Sequence, residues 1–352
     1  MAIMKILNKT DIVFMLAVFL IACSKDSQPI ADGMKTVRIT ISSRVGEGGS
    51  GTDSPEDAIH SLRIYAFDTE DKLVGYHYES DVPNTPGSYS FSMPLNFSYK
   101  EDFPAGAVTA KFYVVANEGG ATIGNEFSFP EAVTDAETGL WEWVDENSKI
   151  TPDALSALLI TGYGTKTEVD ISSTGLPMSY KNDAVELTTE TNQALTFAMK
   201  RAVVKLHTKF KNDGLETTVN EISFGAFQAD KGYLFEQNGS NMIVPDDVIY
   251  SSYTTPNNYS LTIGAGIEKS ASFYQLPSKV ASDVYTFGFN LEDGSNFGMA
   301  ELKPSTGDLT FIDRNTQLEI NVTLNAVEIE FATPAVEPWK SVPDEDGIIN
   351  VE

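Results

Sequence analysis

"KTVRITIS", residues 35–42, alternates apolar and polar side chains at a period of two. Val37, Ile39 and Ile41 fall on one face, with Arg38 and Thr40 on the other, which is the pattern of a half-buried strand. Each of these β-branched side chains contributes roughly 1.5–3 kcal/mol once buried. No second strand follows directly. "RVGEGGSGTDSPED" (44–57) is rich in Gly, Ser and Asp and reads as a flexible stretch. The strand is thus set apart in sequence from everything after it, and Arg44 stands at the joint.

Upstream lies the only cysteine of the chain, Cys23, which excludes an internal disulfide. Lys5 and Lys9 precede eleven uncharged apolar residues, Ile12 to Ala22. That is the layout of a secretory signal, and it falls short of the about 20 residues that a spanning helix needs. Leu20-Ile21-Ala22-Cys23 resembles a bacterial lipobox, in which the thiol takes a diacylglyceryl group and becomes the first residue after cleavage. Residues 1–22 are therefore read as a lipoprotein signal peptide and 23–34 as a tether. Each buried CH2 of such a lipid contributes about 0.8 kcal/mol, so two or three chains hold a protein on a membrane.

Period-2 alternation recurs downstream. "SLRIYAFD" (61–68) and "KFYVVAN" (111–117) are apolar on both faces, as strands between two packed layers are. "ALTFAMK" (194–200) alternates Leu195, Phe197 and Met199, and "TQLEINVTLN" (316–325) alternates Leu318, Ile320, Val322 and Leu324. Turn pairs such as Asn238-Gly239 and Asp293-Gly294 punctuate them. The best helical signal is "TPDALSALL" (151–159): Thr151 as N-cap, Pro152 in the first turn, and Leu155, Leu158 and Leu159 on one stripe. Short strands with loop-rich joins predict an all-β chain of two tandem β-sandwiches with short helical insertions. The polar stretch "ELTTETNQ" (186–193) marks the expected join between a first sandwich at 35–190 and a second at 191–352.

Asp and Glu number 50 against 24 Lys and Arg, a net charge of −26. Such a surface repels nucleic acid, whose binders cluster Lys and Arg. The three histidines, His60, His77 and His207, do not stand at ligand spacing, and without a second cysteine no zinc site is expected. No G-x-S-x-G elbow is present. In "IGAGIEKS" (263–270) Glu268 takes the place of the glycine that a phosphate loop needs, which leaves a strand and a turn. "PDEDG" (343–347) lacks the spaced ligands of a calcium loop. No catalytic residue, cofactor or metal is assigned, and the chain is not read as an enzyme. In "LWEWV" (140–144) Trp141 and Trp143 share a face, where they either contact a glycan by stacking or bury against the core.

Taken in order, these stretches resemble the Bacteroidales fimbrillins, the type V pilins. The resemblance rests on the lipobox at Cys23, the lone strand ending in Arg44, "SLRIYAFD", "FYVVANEGG" (112–120) and "GLPMSY" (175–180). It continues through "MKRAVVKL" (199–206), "YQLPSK" (274–279), "IDRNTQLEINVTL" (312–324) and "AVEPWKSV" (335–342). No single piece is specific; their order over residues 20–342 carries it. The resemblance implies two transthyretin-like β-sandwiches and delivery to the outer membrane as a lipoprotein, palmitate-bearing at Cys23. It further implies cleavage after a basic residue by a trypsin-like protease, here between Arg44 and Val45. That cut removes the strand at 35–43, and a strand from another subunit fills the groove. The implied partners are other copies or homologous fimbrial subunits, the outer membrane before maturation, the maturation protease and a host or bacterial surface receptor.

The sequence also offers a candidate donor strand. After Trp339, "SVPDEDGIINVE" (341–352) carries Val342, Ile348, Ile349 and Val351. Its residues extend by about 3.3 Å each, so the tail reaches ~40 Å, enough to pair along a sandwich edge. Two alternatives stay open: a tip or anchor subunit that is never cut or lacks a free tail, and a monomeric glycan-binding surface lipoprotein. On residues alone, 35–42 can equally be a permanent edge strand with Arg44 an ordinary surface residue.

Overall fold

The computed structural model describes residues 34–43, 54–83, 88–100, 107–124, 127–188, 192–237, 243–279, 285–302, 309–325, 329–331 and 335–339. Cys23, the Arg44–Val45 joint and the tail residues Val342, Ile348, Ile349 and Val351 lie outside them. No helix among the described residues is long and apolar enough to cross a membrane.

The first five strands are β1 (Met34–Ser42), β2 (Leu62–Phe67), β3 (Leu73–Glu79), β4 (Ser88–Asn96) and β5 (Val108–Ala116). β2 is buried at every position and β5 from Phe112 onward, which explains their unbroken apolar sequences. They lie inside a five-stranded sheet, in the order Lys200–Arg201, Met178–Leu187, β5, β2, β3. Facing it is a sheet of three strands, Gln193–Ala198, β1 and β4. Val37, Ile39, Met93 and Phe197 from the smaller sheet close on Ile64, Phe112, Val114 and Met178 from the larger. This is the first β-sandwich.

The second sandwich pairs Lys166–Thr167, Glu268–Gln275, Val204–Asn212, Thr316–Leu324 and Ile329–Phe331 in that order, with Ala335–Pro338 also on Thr316–Leu324. Against it packs a sheet of Tyr250–Thr254, Thr217–Ala229, Thr286–Leu291 and Asn296–Glu301. Phe210, Phe224, Phe273, Phe287 and Phe289 fill the space between. The chain is all-β in two sandwiches, with short helices at Pro152–Ser156 and Glu168–Ile171. Leu195, Phe197, Met199, Ala202 and Val203 pack in the first core, and Val204 opens the second.

Two expectations need revision. The helix at 151–159 stops after Ser156: Thr151 caps it, accepting from the Ala154 amide at 3.3 Å, and Leu155 is buried. Leu159 instead opens the strand Leu159–Thr161, held between Thr122–Ile123 and Lys231–Tyr233. Tertiary pairing overrides the helical stripe because Ile160 and Thr161 are β-branched and Gly162 breaks away at a φ of 59°. The stretch 44–57 is also not uniform: Ser54–Asp57 forms a turn, and Glu56 and Asp57 are only 3% and 4% exposed.

Candidate functional site: the β1 slot and its latch

β1 is the middle strand of its sheet. On one side it runs antiparallel to β4 in unbroken register, from Met34 opposite Asn96 to Ser42 opposite Ser88. On the other it runs parallel to Gln193–Ala198, from Val37 opposite Gln193 to Ser42 opposite Ala198. β1 is therefore not an edge strand. Pleating turns Val37, Ile39 and Ile41 inward, where they are at most 1% exposed. Their cross-strand neighbours are Met93, Phe91 and Tyr89 on β4, and Gln193, Leu195 and Phe197 on the other side. The outer face is polar, with Arg38 exposed and the Thr40 hydroxyl 2.9 Å from that of Ser90.

Aromatic stacking firms the walls of this slot. Phe91 stacks on His77 at 4.2 Å and Phe197 on Tyr180 at 4.7 Å. Room for β4 comes from Gly75 in β3, where a Cβ would lie 2.4 Å from Leu95 Cδ2 and 2.8 Å from Met93 Cε. Both ends of β1 are also tied by side chains. The Lys35 ammonium donates to the carbonyls of Leu187 and Thr188, and the Ser43 hydroxyl donates to the Asp57 carbonyl at 2.6 Å.

Asp57 leads into a buried polar cluster where the two sandwiches meet. The Glu56 carboxylate pairs with the Lys205 ammonium at 2.6 Å, and accepts from the Tyr274 hydroxyl at 2.5 Å and the Trp339 indole N–H at 2.9 Å. Asp57 pairs with Arg201, whose guanidinium also donates to the Glu56 carbonyl at 3.2 Å and lies 4.5 Å from the Trp339 ring. Tyr274 stacks on Trp339 at 5.9 Å. Burial opposes ionisation of Glu56, but Lys205, the Tyr274 hydroxyl and Arg201 outweigh it and hold its carboxyl below the usual range. Burial and the Glu56 charge push the Tyr274 hydroxyl up, so it remains a donor. Next to this cluster the Arg314 guanidinium donates to the carbonyls of Lys200, Arg201 and Leu234 and to the Ser179 hydroxyl, within 3.0–3.2 Å. Asn315, with a φ of 56°, accepts from the Arg201 amide at 3.1 Å.

The cluster acts as a latch between distant parts of the chain. Glu56 and Asp57 follow the 44–53 stretch, and Trp339 is the last described residue before the tail. Arg201 with Lys205, Tyr274, Asn315 and Trp339 come from four separate stretches among those that carry the family resemblance.

Of the residues singled out from sequence, Trp141 and Trp143 are described. They sit in the hairpin Ala132–Thr134/Trp141–Trp143, half-buried, with Trp141 against Tyr76 and Trp143 against Tyr65 and Phe67. The three histidines lie in separate settings: His77 stacks on Phe91, while the His207 ring is 3.1 Å from the Ser272 hydroxyl. Sequence reasoning missed Glu56 and Asp57, which look like part of a solvated Gly/Ser/Asp run. The available signal was Pro55-Glu56-Asp57 directly before the apolar Ala58-Ile59, where a turn enters the core.

Comparison with known proteins adds the family. No curated protein matches. Among solved structures, the tip fimbrial protein Mfa3 from Porphyromonas gingivalis, with C-terminal truncation, superposes with a TM-score of 0.53 at 14% identity, covering 86% of this chain and 100% of that chain. A candidate cell adhesion protein from Parabacteroides distasonis gives a TM-score of 0.51 at 13% identity, covering 89% of this chain and 100% of that chain. At such identities the likeness is one of fold. The family model described as major fimbrial subunit protein (FimA) matches residues 36–226, more than half of the chain and almost all of the first sandwich. The chain belongs to the FimA major fimbrial subunit family.

Proposed function

We propose that this fimbrial subunit is a shaft pilin, exported as a lipoprotein on Cys23, cut between Arg44 and Val45, and polymerised by donor-strand exchange through the β1 slot. The observation that carries the reading is the central place of β1. Its loss would leave two facing rows of unpaired backbone groups above one apolar floor, a stronger template for an incoming strand than a single edge. Arg44 is the only Lys or Arg between Arg38 and Arg63. Lys35 and Arg38 lie within the paired register of β1, and Arg63 is 4% exposed and paired with Glu118 at 2.8 Å. A cut that frees β1 without damaging the body therefore falls at Arg44.

The tail supplies the complementary half. Thirteen residues follow Trp339, and Ile349 and Val351 stand at the period-2 spacing of the slot positions. Asp344, Glu345 and Asp346 keep the tail soluble before it docks. We place the division between the two sandwiches at Val203–Val204, where residues of the second core begin, although Leu234, Phe235, Tyr274 and Leu276 still pack in the first. Surface expression of Arg44→Ala tests the reading. Intramolecular pairing at high effective concentration should keep β1 in place, so the variant should run as a monomer on unheated gels where the parent gives ladders. Ladders of unchanged length would refute cleavage at Arg44.

A further inference from the structure

The hairpin that carries Trp141 and Trp143 borders an open cleft of about 490 Å³ on the first sandwich. Period-2 pleating puts both indoles on one face. Trp143 packs 5.8 Å from Tyr65 and Trp141 6.1 Å from Tyr76, edge-on, so the core holds both rings in place. Neither ring is fully covered, and both line the cleft. Its apolar lining continues with Leu73 and Ile150, 6% and 7% exposed. Polar groups of both signs share the lining, Asp71, Glu142 and Glu146 against Lys72 and Lys149, with the Thr151 hydroxyl; Lys149 pairs with Glu146 at 3.7 Å.

We propose that this cleft binds a short neutral oligosaccharide, an activity additional to assembly. The volume suits a small ligand, and pockets of this kind combine aromatic walls with a few convergent polar groups. An indole is an apolar plate with one donor, which matches the C–H face of a sugar ring, while the mixed rim matches hydroxyls that both donate and accept. The net charge of −26 disfavours polyanionic glycans. None of the lining residues belongs to β1, β4 or Gln193–Ala198, although Asn96 at the end of β4 donates to the Gly139 carbonyl of the hairpin at 2.7 Å.

The chain has three tryptophans, which gives a direct test. With ¹⁵N-labelled tryptophan the full chain shows three indole N–H signals. Trp339, bonded to Glu56 at 2.9 Å and 1% exposed, serves as the internal control. Titration with lactose, maltotriose, mannotriose and N,N′-diacetylchitobiose, backed by an array of neutral glycans, should move the Trp141 and Trp143 signals and leave Trp339 still. Trp143→Ala should weaken binding about tenfold, the scale of a lost aromatic contact. Should that variant misfold, Lys149→Ala on the exposed rim gives a second reading and should also weaken binding. Unmoved Trp141 and Trp143 signals with every probe, together with a silent array, would overturn the proposal. So would binding unchanged in both variants.

Discussion

A carboxylate that is 3% exposed persists at position 56 because Lys205, Tyr274, Trp339 and the Arg201 charge surround it. Removing one member of such a buried pair strands the other, at a cost of about 3–5 kcal/mol. Glu56→Ala should therefore lower stability by that order near neutral pH. The pH dependence follows from the depressed pKa: the contribution is present above the unfolded carboxyl value and is lost as pH falls through the lower folded value. Urea unfolding of parent and Glu56→Ala should thus converge on acidification. A constant gap down to low pH would show that Glu56 is not ionised in the fold. Little of this was legible at residue 56 itself. Pro55 and the apolar Ala58-Ile59 mark a turn into the core, but the preceding run is Gly, Ser, Thr and Asp, and the partners of Glu56 lie 145 to 283 positions away.

At the scale of elements, the alternation of Val37, Ile39 and Ile41 was readable, and so was the burial of β2 and β5. Whether β1 lies at an edge or in the middle was not. Period-2 patterning looks the same in both cases, and the two partner strands are supplied from residues 88–96 and 193–198. The short helix failed for a related reason, since Leu159–Thr161 gains two strand partners that no local signal reveals. Substitutions on the two faces of β1 test its placement. Ile39→Asp puts a charge between Phe91 and Leu195 and should destabilise the uncut precursor by several kcal/mol. Thr40→Asp, on the outer face, should change stability by less than about 0.5 kcal/mol. Equal effects in denaturant unfolding would contradict the assigned register.

For the whole molecule, the slot and the root of the tail are coupled through adjacent residues. Asp57 accepts from Ser43 at the end of β1, and Glu56 accepts from Trp339 where the tail begins. The family stretches were visible one by one in the sequence, but their convergence on this junction depends on the fold. In the proposed assembly, β1 occupies a place later taken by another chain's strand. Mass spectrometry of subunits taken from purified surface filaments tests it most directly. The expected result is chains beginning at Val45 with no fragment of 34–43 retained in the filament. Filament subunits that still carry residues 34–43 in place would contradict it.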